Sequence, residues 1–374
     1  MNDFRNLFVT GNTMNKNIKK AAVAMSGGVD SSVAAALMLE QGYEVIGLTI
    51  KTWDYENIAE KDTGCCSLDS IYRAKNVAHQ LGIPHYTFDM TKEFNDSVIE
   101  NFVSEYMSGR TPNPCVLCNK KIKWGTLLEK AEALGADVLV TGHYAKINYD
   151  EKSGRYFLSV PEDKHKDQTY FLWSLSQYAL SKTLFPLGDY IKSDIRKLAE
   201  KFNLKSAHTP DSQEICFVPD NDYSKLIEMR KPEVKESLAG GNIIYGDKVV
   251  GHHKGYPYYT IGQRKGLNLA VGKALYVSKI IPEKNEIIMG DSDTVLSSEF
   301  IAKDINLMYP EKIDGDMHAT IKIRYKDAGT PGIIRQTDDN IIEVKLDVPK
   351  RAITPGQSAV FYIDDNLIGG GVIF

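Results

Sequence analysis

The chain has 374 residues, 43% of them hydrophobic, with 45 Lys plus Arg against 49 Asp plus Glu and a net charge of −4. Such a composition excludes a largely disordered chain and a globally basic nucleic-acid binder, and the length suits two or three domains rather than one core. No window approaches ~18 uninterrupted apolar residues, and the opening stretch MNDFRNLFVTGNTMNKNIKK lacks the apolar core and cleavage site of a secretory signal. A cytoplasmic protein with no membrane partner is expected, and residues 1–18, with a second Met at Met14, are expected to be a disordered leader.

From Lys19 the order is a short apolar run (KKAAVAM), a Gly turn (SGGVDSS), an amphipathic helix ending near Gly42, and a second apolar run (EVIGLTIKTW). SLDSIYRAKNVAHQLGI predicts a helix capped at Ser67 or Asp69, PHYTFDM a strand, TLLEKAEALGA a helix and DVLVTGHYAKI a single strand. This alternation predicts a parallel, doubly wound sheet. Beyond about Tyr223 the helical period fades, and Gly-rich, β-branched and aromatic runs such as GNIIYGDKVVGHHKGYPYYTIGQRKGL predict mostly β domains. The last hundred residues have the pattern of a small antiparallel barrel or sandwich, read here as a C-terminal β-barrel. The expected borders are 19–223 for the α/β domain, 224–280 for a β-rich central domain and 281–374 for the barrel.

Residues 26–32 of AMSGGVDSS lie between a predicted strand and a predicted helix, where backbone N–H groups and a helix N-terminus converge on an anion. Gly27 and Gly28 allow close approach, and Ser26, Ser31 and Ser32 add hydroxyl donors. The loop is neither a Walker A sequence nor a dinucleotide fingerprint, since it lacks Gly-Lys-Ser/Thr and G-x-G-x-x-G. Asp30, an anion inside an anion site, makes sense only if a cation such as Mg²⁺ bridges it to the phosphates. SGGVDSS resembles the PP-loop of the ATP pyrophosphatases, which use ATP to adenylate an oxygen and release pyrophosphate.

Five cysteines, Cys65, Cys66, Cys115, Cys118 and Cys216, are an odd number, and in a reducing compartment they are more often buried, metal-bound or catalytic than bridged. In TPNPCVLCNKK the thiols Cys115 and Cys118 stand three apart behind Pro112 and Pro114, which favour an extended stiff loop over the helix start of a thioredoxin site. A structural zinc site wants a second C-x-x-C, and none is present. Lys120, Lys121 and Lys123 are placed to lower a thiol pKa or to meet a phosphate backbone.

With AMSGGVDSSVAAALMLEQGYEVIGL, GRTPNPCVLCNKKIKW, TGHYAKI, KDQTYFLWSLSQ, FPLGDYIKSDIRKLA, DSQEICFVPDNDY, GYPYYTIGQRKGL, IRYKD and ITPGQSAVFY in this order, the chain resembles the tRNA-specific 2-thiouridylases from Lys20 to its last residue. The resemblance implies ATP and Mg²⁺ as cofactors, tRNA as substrate and a sulfur-donor protein as partner. It implies that Cys118 is the nucleophile carrying a persulfide and Cys216 its partner. Uridine O2 is a poor leaving group, so ATP first converts it to an adenylate. Sulfur on Cys118 then attacks C2, and Cys216 releases the sulfur, leaving a transient Cys118–Cys216 disulfide.

By the same resemblance Met25, Ser26, Gly27, Gly28, Val29, Asp30, Ser31, Ser32, Ile50 and Gly142 match ATP-pocket positions, with Asp30 near the metal. Asn113, Pro114, Cys115, His143, Lys166, Asp167, Gln168, Arg324, Tyr325 and Gln357 match positions that face tRNA. One departure stands out: Cys115 replaces an Asp that many members of the family carry in an NPD string. Either Cys115 is a positioning substitute, or Cys115, Cys118 and Cys216 ligate an iron–sulfur cluster with one iron open. Cys65 and Cys66 are expected to be structural. The competing readings are another PP-loop adenylating enzyme and, outside enzymes, a thiol-based metal or redox protein.

Overall fold

The computed structural model describes residues 20–53, 68–207, 209, 215–218, 222–267, 269 and 272–374. The predicted leader, Cys65, Cys66 and the Ser67 cap position lie outside the described residues.

The first sheet is parallel. Strands β1 (Lys20–Ala24), β2 (Glu44–Lys51), β3 (His85–Asp89) and β4 (Val138–Val140) come first; a hairpin, β5 (Lys146–Asp150) and β6 (Arg155–Ser159), then leaves the sheet before β7 (Thr183–Leu184) completes it. The spatial order is β3-β2-β1-β4-β7, so the chain reverses direction across the sheet between β1 and β4, where open α/β sheets bind ligands at their carboxyl ends. Side chains alternate as period two demands: Ala22 of β1 enters one core, while Ala21 and Val23 enter the core on the opposite face.

Helix α1 (Val29–Glu40) follows the Gly turn and α2 (Leu68–Leu81) follows β2. The expectation of an amphipathic α1 is corrected: Val29 and every residue from Ser31 to Met38 are buried, because α1 is covered by the sheet, by α2 and by the helix Lys192–Lys201. Asp69 does not cap α2 but lies inside it, paired with Arg73 one turn on.

The single strand expected over DVLVTGHYAKI is two. β4 ends at Val140, and β5 belongs to a different sheet, because residues 141–145 leave the first sheet to cross α1. The central sheet, in the order β10-β11-β8-β9, comprises β8 (Asn242–Tyr245), β9 (Lys248–His252), β10 (Tyr276–Ile281) and β11 (Glu286–Gly290). Two short helices, Tyr223–Arg230 and Glu233–Glu236, precede it, where a loss of helical structure was expected. Because β10 and β11 form one antiparallel pair, the sheet ends at Gly290, beyond the expected border at 280.

Six antiparallel strands then close a barrel: β12 (Leu296–Leu307), β13 (Asp316–Lys322), β14 (Thr330–Asp338), β15 (Ile341–Arg351), β16 (Ser358–Ile363) and β17 (Asn366–Ile373), with β17 returning to pair with β12. Closure removes the open edge. The β5–β6 hairpin attaches to β17 through Ser159–Asn366 and Leu158–Leu367. Leu158, Val360, Tyr362 and Leu367 accordingly share one core with the first domain. The barrel is thus fixed to the α/β domain by continuous β pairing and apolar packing.

Candidate active site

Helix α1 begins one residue after Gly28, whose backbone is extended and which supplies no side-chain cap, so the N–H groups of the first turn are not satisfied by the capping residue. Ser26, exposed at the lip, donates its N–H to Ser31 Oγ at 3.2 Å. The hydroxyls of Ser31 and Ser32 instead donate back to the Gly28 carbonyl, at 3.2 and 2.8 Å. Both side chains are buried, so they brace the loop rather than serving as the outward donors expected. Gly27 has φ +74°, and a Cβ there would lie 2.4 Å from the Ser70 carbonyl of α2. Met25 is buried beneath the loop; its carbonyl accepts the Thr49 hydroxyl at 2.7 Å, and Val29 packs into the core below.

Across the switch point, Gly142 comes so close to α1 that a Cβ would sit 2.7 Å from Ser31 N and 2.8 Å from the Asp30 carbonyl carbon. The loops after β1 and β4 therefore meet at one point. Ile50, at the carboxyl end of β2, is half-buried against the large core.

Asp30 does not wait for a metal to balance its charge. Lys192 Nζ lies 2.7 Å from both carboxylate oxygens, and the buried Tyr144 hydroxyl donates to Oδ1 at 2.8 Å. The expectation that only a divalent cation rationalises this carboxylate is thereby corrected, since a lysine 162 residues away neutralises it. The N-terminal turn of α1, left without a side-chain cap, suits an ATP phosphate chain; Mg²⁺ would find Asp30 as its carboxylate once Lys192 gave way.

The thiols also differ from expectation. Pro114–Cys118 is a helix, with Pro114 at its first turn, so Cys115 and Cys118 lie at a helix start and not in an extended loop. Proline at the first helical position sacrifices no hydrogen bond and presets φ, which the restriction on residues before proline does not oppose. The helical path continues through a π-helical stretch, Asn119–Leu127, to Leu128–Ala133.

What is stiff is the approach to that helix, which all three domains clamp. Tyr256 and Thr260 of the central domain contact it, the Tyr256 hydroxyl donating to the Met107 carbonyl at 2.7 Å. From the barrel, Pro355 O accepts Thr111 N–H at 2.9 Å, and Gln357 donates to the carbonyls of Thr111 and Pro112. Asn113 reaches Ser358 Oγ at 3.4 Å, and Ser358 also accepts from Trp173 Nε1. Asn113 and Gln357 thus hold domains together in this structure. Pro114 is buried and Cys115 exposed.

Cys118 is half-buried against the same core as Cys216. Cys216 sits in a turn anchored by the buried Phe217, whose ring meets Phe94 and Phe102 edge-on at 5.5 and 5.2 Å. Among the described residues no group of three His, Cys, Asp or Glu side chains is arranged to hold a metal ion.

The three lysines after Cys118 divide their work. Lys120 and Lys121 are exposed and line a cavity of about 400 Å³ with Trp124 and Ser174. Lys123 Nζ lies 3.3 Å from His143 Nε2, and His143 Nδ1 lies 2.7 Å from Thr141 Oγ1. Burial, and secondarily Lys123, push the His143 pKa well below the usual histidine value. The imidazole is therefore neutral, with Nε2 accepting from the ammonium and Nδ1–H donating to the threonine. This chain of contacts runs from the thiol helix through His143 to Gly142 and the PP-loop.

Lys166, Asp167 and Gln168 follow and close a 3₁₀ turn, Lys164–Lys166. Gln168 forms two hydrogen bonds with the backbone of Tyr144, at 3.0 and 3.1 Å. Asp167 is buried, accepting from Thr169 and pairing with Lys322 of the barrel. Arg324 and Tyr325 stand exposed on a turn that Asp327 holds from below. Burial alone would raise the Asp327 carboxyl, but Lys350 and the N–H groups of Ile323 and Gly329 hold it below the usual range. Tyr325 packs on Phe171, ring centroids 4.5 Å apart, and the Phe171 carbonyl accepts from Asn119, the residue after Cys118.

Lys192, Tyr144, Asn119 and Ser358 escaped the sequence reading. Tyr144 had a local signal, two residues beyond Gly142 in TGHY; Lys192, at the head of an ordinary polar helix, had only its place in the run FPLGDYIKSDIRKLA.

A PP-loop at the switch point of a parallel sheet, a thiol helix linked to it through Lys123 and His143, and a barrel clamped onto the approach to that helix define an ATP-dependent RNA-modifying class of enzyme. Family models agree domain by domain: "tRNA methyl transferase HUP domain" matches residues 19–220, "tRNA methyl transferase PRC-barrel domain" 233–291 and "Aminomethyltransferase beta-barrel domain" 297–373. Among curated relatives, the tRNA-specific 2-thiouridylase MnmA of Salinibacter ruber is 49% identical over 95% of this chain and 94% of its own. The protein of the same name from Carboxydothermus hydrogenoformans is 48% identical over 95% and 97%, and that of Amoebophilus asiaticus 47% over 95% and 95%. The chain belongs to the tRNA-specific 2-thiouridylase family.

Proposed function

We propose that this chain is a cytoplasmic tRNA-uridine 2-sulfurtransferase that adenylates O2 of the wobble uridine with ATP and replaces that oxygen with sulfur from Cys118. The observation that supports the reading is the chain of contacts Ser31–Gly142–His143–Lys123, which links the PP-loop to the helical path that continues from Cys118. No membrane partner is invoked, and no helix among the described residues is long and apolar enough to cross a membrane.

In this reading the α1 N-terminus, Gly27, Gly28 and Gly142 receive the phosphates, Met25 and Ile50 wall the nucleotide, and Asp30 holds Mg²⁺, which supplies charge neutralisation for the leaving pyrophosphate. Asn113, Pro114 and Cys115 frame the base, and His143, against Lys123 and Trp124, stands between them and the PP-loop in the same reading. Lys166, Gln168, Arg324 and Tyr325 face tRNA, whose splayed loop offers bases to stack and phosphates to pair. Asp167 and Gln357 act by holding the barrel in place. Cys118 bears the persulfide delivered by a sulfur-donor protein; its outer sulfur adds to C2, and AMP leaves with the former O2. The Cys216 thiolate then attacks Cys118 Sγ and breaks the S–S bond, so that the sulfur stays on the base and a Cys118–Cys216 disulfide remains.

The test is thiolation of unmodified tRNA with ATP and a persulfide-bearing donor protein, which passes sulfane sulfur to Cys118 by thiol exchange, after anaerobic purification with iron and acid-labile sulfide measured. Cys118→Ser and Cys216→Ser are expected to abolish 2-thiouridine while pyrophosphate release persists, and Cys115→Ser is expected to retain thiolation in iron-free protein. Activity that follows iron content and is lost in all three variants would replace the persulfide by a cluster.

A further inference from the structure

A Walker loop carries its phosphate-binding lysine in its own sequence; here residues 26–32 contain none. The ammonium nearest that loop's carboxylate arrives from the opposite half of the domain. Lys192 is the first residue of the helix Lys192–Lys201, and its own N–H is tied to Asp163 Oδ2 at 2.9 Å. A cation at a helix N-terminus faces the unfavourable end of the macrodipole, which the Asp30 pairing offsets. With its backbone pinned and its side chain mostly buried, the ammonium lies 2.7 Å from both Asp30 oxygens, in the first turn of α1, where uncapped N–H groups already favour an anion.

We propose that Lys192 is the phosphate-binding lysine of the ATP site, held on Asp30 until nucleotide arrives and then transferred to the phosphate oxygens. The proposal rests on the reading of the PP-loop as the ATP site. The exchange needs only the side chain: a phosphate chain with its divalent cation brings Asp30 a new positive partner and offers Lys192 a new negative one, so neither charge is left uncompensated. When uridine O2 attacks the α-phosphorus and the bond to pyrophosphate breaks, Lys192 faces the charge that leaves. Tyr144, bonded to Asp30 and fixed by Gln168, keeps the carboxylate in place while the lysine moves.

The experiment is calorimetric binding of Mg²⁺-ATP and of adenosine, which has no phosphates, to wild-type protein, Lys192→Gln, Lys192→Met and Lys192→Arg. In the Gln and Met variants adenosine is expected to bind within about twofold of wild type, ATP about 10- to 100-fold more weakly, and tRNA-dependent pyrophosphate release is expected to fall about 100-fold. Lys192→Arg is expected to recover most of the ATP affinity. Equal weakening of both ligands, or of neither, overturns the proposal and leaves Lys192 a structural partner of Asp30. In unmutated protein, ATP but not adenosine is expected to slow acetylation of Lys192, quantified by peptide mass spectrometry; equal protection overturns the proposal without any variant having to fold. Wild-type protein that binds neither ligand overturns the ATP-site reading together with it.

Discussion

Asp167 of the first domain and Lys322 of the barrel lie 3.0 Å apart in a mostly buried ion pair, and the Lys322 ammonium also sits 4.7 Å from the Tyr362 ring centroid. Removing one partner strands the other charge. Asp167→Ala is expected to cost about 3 kcal/mol in urea unfolding, and the double variant Asp167→Leu/Lys322→Met less than either single one. Single-variant costs that simply add would show that the two groups are not coupled.

Gly142 is the point where the β4 loop touches α1. Gly142→Ala places a methyl 2.7 Å from the Ser31 backbone nitrogen, and backbone cannot rotate aside. The two loops are expected to part, costing about 1–3 kcal/mol and weakening ATP more than tenfold. A variant with wild-type melting and wild-type ATP affinity would mean that the contact is dispensable.

His143 is neutral when folded because burial, and then Lys123, lower its pKa. The unfolded chain takes up the proton near pH 6.5, so folded-state stability is complete above that pH and declines as pH falls below it. His85 and His253, also lowered chiefly by burial, act in the same direction. His143→Gln is expected to flatten the loss of stability between pH 7.5 and 5.5; an unchanged pH profile would exclude His143 as a contributor.

Arg324 is exposed on the turn braced by Asp327. Arg324→Ala is expected to leave melting unchanged, to weaken tRNA binding, and to reduce the slope of log affinity against log salt by about 1. An unaltered slope would place Arg324 outside the tRNA contact.

The glycines, serines and flanking apolar runs of AMSGGVDSS specified the strand, anion turn and helix because those preferences are local. The same locality explains the failures. Pro112 and Pro114 suggested a loop, although a proline at the first helical position starts a helix equally well. DVLVTGHYAKI is uniformly β-like, and nothing within it shows that its second half joins a barrel built more than 130 residues later.

By itself the sequence determined the doubly wound sheet, the β character of the C-terminal part, the PP-loop and the thiols, since each is written in short-range pattern or in a motif whose chemistry requires those residue types. Closure of the last sheet into a barrel rests instead on β17 returning to β12. Only the tertiary structure decided that Lys192 neutralises Asp30, that Asn113 and Gln357 bind domains together, and that Lys123 meets His143. Each is a pairing between groups distant along the chain, where charge and hydrogen-bonding capacity state a need but only the fold selects the partner.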